Sequence, residues 1–285
     1  MAIGRRKYEA LKAFDFDNMD EQMLETFNAQ FKITVGKAMA MVKEYEEHYK
    51  NAVISPKAAE YLKTVRAEAK KKKEIPKLTK EILWKKFNDA FYENEGVKFN
   101  STTDSLSNLK PLMYYFLGDF ENFKKCHNVS KLSVPSKDKG LLIIGTYGNG
   151  KTSIFKAFEK ALRRTNIRFK GYSTNEAVIM FEACKSSPEK EQFYNLMNRG
   201  TRYFDDVKTE RQASNYGKTE LFKDIIESRY SNMERTYITC NFDRDYPDDL
   251  DKGLDEFMTK YGNRVYDRLF EMFNIVVFNG KSFRR

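Results

Sequence analysis

The sequence predicts an α/β domain built on a five-stranded parallel sheet, preceded by a mostly α-helical N-terminal domain. Three observations carry this. An apolar run, Leu141-Leu-Ile-Ile144, enters a glycine-rich turn, Gly145 to Gly150, and leaves it as a helical segment, Ser153 to Leu162. From Gly140 onward, short apolar runs alternate with helical patterns, which implies parallel strands joined by crossovers. Before that, about 130 residues place apolar side chains at helical spacing.

In the N-terminal part, Met19, Met23, Phe27, Phe31, Val35 and Met39 recur every fourth position, and Val42, Tyr45 and Tyr49 continue the face. The spacing predicts one long amphipathic helix, capped by Asp17 or Asn18, with Asp20 and Glu21 in its first turn. Its apolar stripe suits a core or a face for a partner helix. Ser55-Pro56 opens a second helix, which ends near Lys70–Lys73 ahead of Ile75-Pro76. That lysine run suits a solvated helix end or a contact to phosphate backbone. Thr79 caps a third helix with Ile82, Leu83, Phe87, Ala90 and Phe91 inward. A loop from Gly96 to about Ser105 follows, then shorter helical pieces through Leu112–Phe116 and Phe120–Cys126. The polar stretch from Asn128 to Lys139, with Pro135, predicts a junction between domains at 1–130 and 131–285. The five strands are expected at Leu141–Ile144, Ile167–Tyr172, Thr201–Phe204, Thr236–Thr239 and Ile275–Phe278.

Composition bounds the chemistry. The 285 residues carry a net charge of +10, which suits either simple solubility or a polyanionic partner such as nucleic acid. No apolar run approaches the length of about 18 residues needed to span a membrane. The N-terminus lacks the apolar core of a signal peptide. Cys126, Cys184 and Cys240 are scattered, with no metal spacing, and suggest reduced thiols of a cytoplasmic protein. With His48 and His127 as the only histidines, a zinc site or a Ser–His–Asp triad is not expected.

The turn Gly145-Thr146-Tyr147-Gly148-Asn149-Gly150-Lys151-Thr152 has the phosphate-binding spacing G-x-x-x-x-G-K-[ST]. Glycines let the backbone wrap a phosphate, and the following helix presents unpaired N–H groups. Lys151 is expected to reach the terminal phosphates of ATP, and Thr152 to place its hydroxyl on Mg²⁺. Hydrolysis also needs a metal-holding carboxylate and a group that activates water. Arg202-Tyr-Phe-Asp205-Asp206 ends a short strand in two acids, at the end where open parallel sheets bind ligands. Asp205 suits the metal and Asp206 the water; an ordinary acidic turn is the alternative. Thr236-Tyr-Ile-Thr-Cys-Asn241 ends another strand in an amide that can hold the attacking water or simply cap a turn. The single strand between the two motifs points to oligomeric ATPases with an extra central strand. Arg264 and Arg268 share one helix face. An exposed arginine there can reach nucleotide in a neighbouring subunit, or pair locally with Asp267 or Glu271.

Taken together, these residues resemble the AAA+ helicase loaders of the DnaC type and the related IstB transposition ATPases. The resemblance spans about Gly140 to Arg284. It includes the double aspartate with Glu210 downstream, Ile225-Ile-Glu-Ser-Arg229-Tyr230 leading to Asn241, Gly262-Asn-Arg264-Val-Tyr-Asp-Arg268, and the ending Asn279-Gly-Lys-Ser-Phe-Arg284. It implies an AAA+ ATPase domain without a helical lid. It further implies Lys151 and Thr152 for nucleotide and Mg²⁺, Asp205 for metal, Asp206 as catalytic acid, Asn241 as sensor 1, Arg268 as arginine finger and Arg284 as a nucleotide-facing terminal arginine. The family usually has glycine where this chain has Lys208, which bears on the role of Glu210.

The implied function is an ATP-dependent loader that places a replicative helicase on single-stranded DNA during DNA replication and assembles into a homo-oligomer on ATP or DNA. The N-terminal domain then grips the helicase. An IstB-like helper that delivers a transposase to target DNA is the alternative. A small-molecule kinase would need an arginine-rich lid, and a non-hydrolysing adaptor would lack turnover.

Overall fold

The computed structural model describes residues 5–31, 33–50, 78–215, 217–280 and 282–283. The chain divides into two compact units, residues 1–75 and 76–285.

In the first unit, α1 (Arg5–Lys12), α2 (Glu21–Gln30) and α3 (Val35–Lys50) pack around buried Leu11, Phe27 and Ala38. Phe14 and Phe16 meet Phe27 edge-on. The expected single helix from Met19 is thus two. Asp20, rather than Asp17 or Asn18, caps α2 by accepting from the Met23 amide. Phe31 is extended and closes α2, and Thr34 accepts from the Lys37 amide ahead of α3. The reason is geometric. A strict four-residue repeat precesses by about 40° per step on an α-helix, so six such positions cannot share one stripe. Breaking the helix lets Phe27 and Phe31 turn inward while Met23 and Met39 stay exposed. The helix expected after Ser55-Pro56 and the Lys70–Lys73 run lie outside the described residues.

The second unit opens with α4 (Lys80–Glu95), α5 (Thr103–Leu117) and a short α6 (Phe120–Phe123). Thr79 caps α4 as expected, and left-handed Gly96 ends it. Helix α5 starts at a Thr102 cap and continues through Pro111, so the shorter piece expected there is one 15-residue helix. These helices do not form a separate domain. Leu83, Phe87, Leu109, Leu112 and Phe116 share one hydrophobic cluster with Leu141, Ile143, Phe155 and Tyr237. The Phe87 and Phe116 rings both pack at a tilt against Phe158, with centroids 4.9 and 4.7 Å away. The boundary expected at 130 therefore falls at 75 to 76. The stretch expected to be a junction is bonded to the sheet edge. Val129 bridges Val276, Ser130 donates to Ile275, and Ser133 donates to the carbonyls of Phe270 and Phe273.

The sheet follows: β1 (Gly140–Gly145), α7 (Lys151–Leu162), β2 (Lys170–Ser173), α8 (Thr174–Glu182), α9 (Ser187–Asn198) and β3 (Arg202–Val207). A small antiparallel hairpin, β4 (Ala213–Ser214) and β5 (Lys218–Thr219), was not anticipated. Then come α10 (Leu221–Ser231), β6 (Thr236–Asn241), α11 (Leu250–Tyr261), α12 (Asn263–Met272) and β7 (Phe273–Phe278). The five main strands are parallel, in the order β2-β3-β6-β1-β7. In this order β6 lies between β1, which carries the glycine loop, and β3, which carries the two aspartates. Strands β1 and β6 are buried throughout, as parallel strands covered on both faces must be. Arg229 is fully buried beneath β6, where it donates to the carbonyls of Met197, Gly200 and Arg235 and to the Thr236 hydroxyl.

The packing predicts where the chain can be cut. Residues 76–285 should unfold cooperatively on their own, whereas residues 131–285 should not fold, because the sheet face beneath α4 and α5 would lie bare. Phe87→Ala in the full chain should cost about 3–5 kcal/mol, the usual penalty for emptying a buried phenylalanine site. Thermal unfolding by circular dichroism checks both. A folded 131–285 fragment would contradict the assignment of α4–α6 to this unit.

Candidate functional site

Two strand ends meet at the glycine loop. Gly145 of β1 lies level with Asn241 of β6. A Cβ on Gly145 would fall 2.4 Å from the Asn149 amide and 2.7 Å from the Phe278 carbonyl, so only glycine fits there. Gly150 precedes α7 with φ of +89°, a conformation that costs glycine little. The loop residues Tyr147 to Gly150 thus line one cavity together with Lys151 and Thr152.

The Lys151 ammonium is buried. It donates to the carbonyls of Gly145 (2.9 Å) and Thr146 (2.7 Å) and to the side-chain oxygens of Asn149 (3.1 Å) and Asn241 (3.0 Å). Burial pushes its pKa down to about 8, against the pull of Cys240, Asp206 and Asp205 nearby. The Asn241 amide nitrogen, in turn, donates to Asp206 at 2.8 Å. One side chain therefore links the loop lysine to the second aspartate.

The two aspartates face different partners because β3 is irregular. From Phe204 to Val207, three steps on β3 match two on β6. This bulge holds Asp206 at φ of +58°, a sparsely populated region for a non-glycine residue. Thr239 secures it by accepting from the Asp206 amide at 3.1 Å, and Thr174 donates to the Asp206 carbonyl at 3.1 Å. Asp205 is buried and accepts from Tyr203 and Thr239, both at 2.5 Å, and from the Thr152 hydroxyl at 3.1 Å. Burial and Asp205 together raise the Tyr203 pKa well above its ordinary value, so Tyr203 remains a hydrogen-bond donor. A hydroxyl and a carboxylate at this separation, both lining the cavity, form a hard-oxygen donor pair of the kind Mg²⁺ takes together with water and phosphate oxygens.

The cavity in front of these groups has a volume of about 650 Å³, within the range of about 300–1,000 Å³ usual for small-molecule sites. The glycine loop, Thr152, Asp205, Asp206 and Asn241 line one side. Phe91, Val97 and Phe99, from α4 and the loop after it, line another. Phe283 closes over the loop by donating its amide to the Gly148 carbonyl at 3.0 Å, and Thr146 donates to the Gly280 carbonyl at 3.2 Å.

Of the residues expected from sequence, Gly145 to Thr152, Asp205, Asp206 and Asn241 come together here. Arg268 does not. It lies over the Tyr230 ring at 4.3 Å and 3.9 Å from Glu227, which also faces Arg264 at 3.9 Å. The local partner is thus Glu227 on α10, and Glu271 instead accepts from Tyr230. Arg284 lies outside the described residues. Sequence reading missed Tyr203, Thr239 and Thr174. Tyr203 and Thr239 each sit two residues before a chosen site residue on the same strand face, which is a usable signal. The aromatic wall from residues 91–99 carries no such signal, being some fifty residues upstream of the loop.

Residues 121–227 match the family model described as bacterial TniB protein, which covers the glycine loop and both aspartates but less than half of the chain. Among solved structures, the chain is similar to the DnaC helicase loader (22% identity, TM-score 0.45), over 68% of this chain and 99% of that one. It is also similar to DnaI (18% identity, TM-score 0.43), over 73% and 94%. The replication initiator DnaA bound to AMPPCP and single-stranded DNA is similar at 15% identity (TM-score 0.40), over 61% of this chain and 47% of that one. A comparison with curated protein sequences gives no significant match. The family match and the sheet order agree with the resemblance to AAA+ proteins of the DnaC and IstB kind. Among the described residues, no helix is long and apolar enough to cross a membrane.

The depressed Lys151 pKa has a signed consequence. Between about pH 8 and its ordinary value of 10.5, the unfolded chain holds this proton and the folded chain does not, so stability rises with pH in that window. Below about pH 8 both states are protonated and the buried charge exerts its full penalty. The wild type should therefore gain stability relative to Lys151→Met as pH rises from about 8 to 10.5, read by urea unfolding at each pH. A constant difference across that window would show that the lysine does not titrate there.

Proposed function

We propose that this protein is an ATPase switch that binds ATP with Mg²⁺ at the Lys151 loop and hydrolyses it. The observation that carries the proposal is the Asn241 amide, which joins the Lys151 ammonium to the Asp206 carboxylate. The group that meets the terminal phosphate is thereby tied to the group placed to polarise water. On phosphate binding, Lys151 exchanges its contacts with the Gly145 and Thr146 carbonyls for phosphate oxygens. Thr152 and Asp205 are the residues that would hold Mg²⁺, which when bound neutralises charge on the phosphates. Asp206 accepts the water's proton, held in orientation by Asn241 and by Thr209, which donates to its other oxygen at 3.1 Å. Phe91, Val97 and Phe99 offer an apolar wall for the base.

Arg268 is assigned as the arginine finger acting in a neighbouring copy. Its absence from its own subunit's cavity supports this, and the Tyr230 ring and Glu227 hold it at the α12 surface. The active form is then a homo-oligomer assembled on ATP or DNA. We further propose that the switch loads a replicative helicase onto single-stranded DNA in the cytoplasm, with the first unit, residues 1–75, as the partner-binding part. The similar DnaC structure is a helicase loader and the similar DnaA structure is bound to single-stranded DNA. The net charge of +10 suits a nucleic-acid partner. The second reading, an IstB-like helper that delivers a transposase, is favoured by the match to the TniB family. Capture with the full chain, in the presence of a non-hydrolysable ATP analogue, separates the two by whether a helicase or a transposase is retained.

Lys151→Ala should abolish turnover and weaken nucleotide binding. Asp206→Asn should keep binding and lose hydrolysis, because an amide cannot take the proton. Arg268→Ala should lower turnover by less than the roughly 10³–10⁵-fold attributed to arginine fingers in switch GTPases, with nucleotide affinity nearly unchanged. Mixing Arg268→Ala with Lys151→Ala should restore activity, since each supplies what the other lacks. Phosphate release and fluorescent-nucleotide titration read these outcomes. Mixtures that stay inactive while wild-type subunits associate would place Arg268 within its own subunit.

A further inference from the structure

We propose that Lys208 is a positioning residue that fixes the Asn241 end of β6 and ties it to the α11–α12 helix pair. Lys208 has a φ of +82°, a conformation in which a lysine is strained and a glycine is not. The side chain nevertheless runs inward and is buried. Its ammonium donates to the Asn241 carbonyl at 2.7 Å, to the Gly253 carbonyl at 2.9 Å and to the Glu256 carboxylate, and lies 5.4 Å from the Phe257 ring centroid. All three protons are thus used, one on the strand and two on α11.

A second strut runs alongside. The Lys208 amide donates to the Tyr261 hydroxyl at 3.1 Å, and that hydroxyl donates to buried Glu210. Lys260 donates to the carbonyls of Lys208 and Glu210, at 2.7 and 2.6 Å. The turn after the two aspartates is therefore bolted to α11 from both sides.

The consequence lies in what Asn241 does. Its side chain reaches Lys151 and Asp206 only if its backbone is held in place; pairing with β1 holds it along the strand, and the Lys208 ammonium grips its carbonyl. The same ammonium grips α11, which leads through Gly262 into α12 and Arg268. A change at the phosphate end of Asn241 is thereby felt by the helix pair that presents Arg268, and the reverse holds by linkage. A lysine with three fixed acceptors offers this connection. Glycine, which has no side chain, cannot.

The test uses the full chain with Lys208→Met, which keeps the stem and removes the charge, and Lys208→Gly, which suits the backbone conformation in case the methionine variant misfolds. The first readout is the side-chain amide signal of Asn241 in nucleotide-free protein, assigned by its loss in Asn241→Asp. In both variants it should move towards the position of a free asparagine amide, while the buried amides of Asn108 and Asn274 stay put and report an intact fold. The second readout rests on the ATPase reading above: kcat should fall at least about tenfold, with nucleotide Kd nearly unchanged, since misplacing a positioned group can cost up to about 10²-fold. If the wild type has no turnover, the ATPase reading fails, and the amide signal still tests the positioning. An unmoved Asn241 signal in the variants, or a glycine variant as active as wild type, overturns the proposal.

Discussion

Burying an ammonium at the end of β1 constrains everything around it. An uncompensated charge in that position would be far too costly, so each Lys151 proton must find an acceptor. The loop supplies two carbonyls and Asn149, and β6 supplies Asn241. The carbonyls can turn towards the lysine only because Gly145 and Gly150 let the backbone approach and reverse. The fourth acceptor is available only because β1 and β6 pair in a register that sets Gly145 beside Asn241. The sheet order is thus part of the site's chemistry.

Strain at β3 is the complement of that arrangement. Two adjacent aspartates on a regular strand would point to opposite faces of the sheet. The bulge between Phe204 and Val207 turns Asp206 back to the side on which Asp205 meets Thr152. Holding a non-glycine residue at positive φ needs surrounding support, and Thr239, Thr174 and Thr209 provide it through hydrogen bonds. Lys208, two residues on, is again at positive φ, and its amide and carbonyl are bonded to Tyr261 and Lys260 of α11.

The helices ahead of β1 show a different constraint. A parallel sheet exposes two apolar faces and needs cover for both. Helix α7 alone leaves part of one face bare, and α4 and α5 fill it through Phe87, Leu112, Tyr115 and Phe116. The same helices lead into the segment that forms the apolar wall of the cavity, so cover for the core and a surface for ligand come from one stretch of chain.

Local chemistry made much of this legible. Glycine spacing, the apolar runs and the acid pair follow from what each residue does to its own backbone, and they placed the strands, the phosphate loop, Asp205, Asp206 and Asn241. Periodicity was a poorer guide where its interval was ambiguous: the four-residue repeat from Met19 to Met39 suggests one helix, yet its drift around the axis forces two. Nor does periodicity say what a helical face will cover, which is why α4 to α6 look like a separate domain in sequence and pack as a layer of the sheet. The tertiary structure alone decided the bulge that aims Asp206, the bond from Lys151 to Asn241, the resting place of Arg268 on Tyr230 and the grip of Lys208 on β6. Each depends on strand register or helix packing between residues far apart in the chain, and no local preference encodes such a distance.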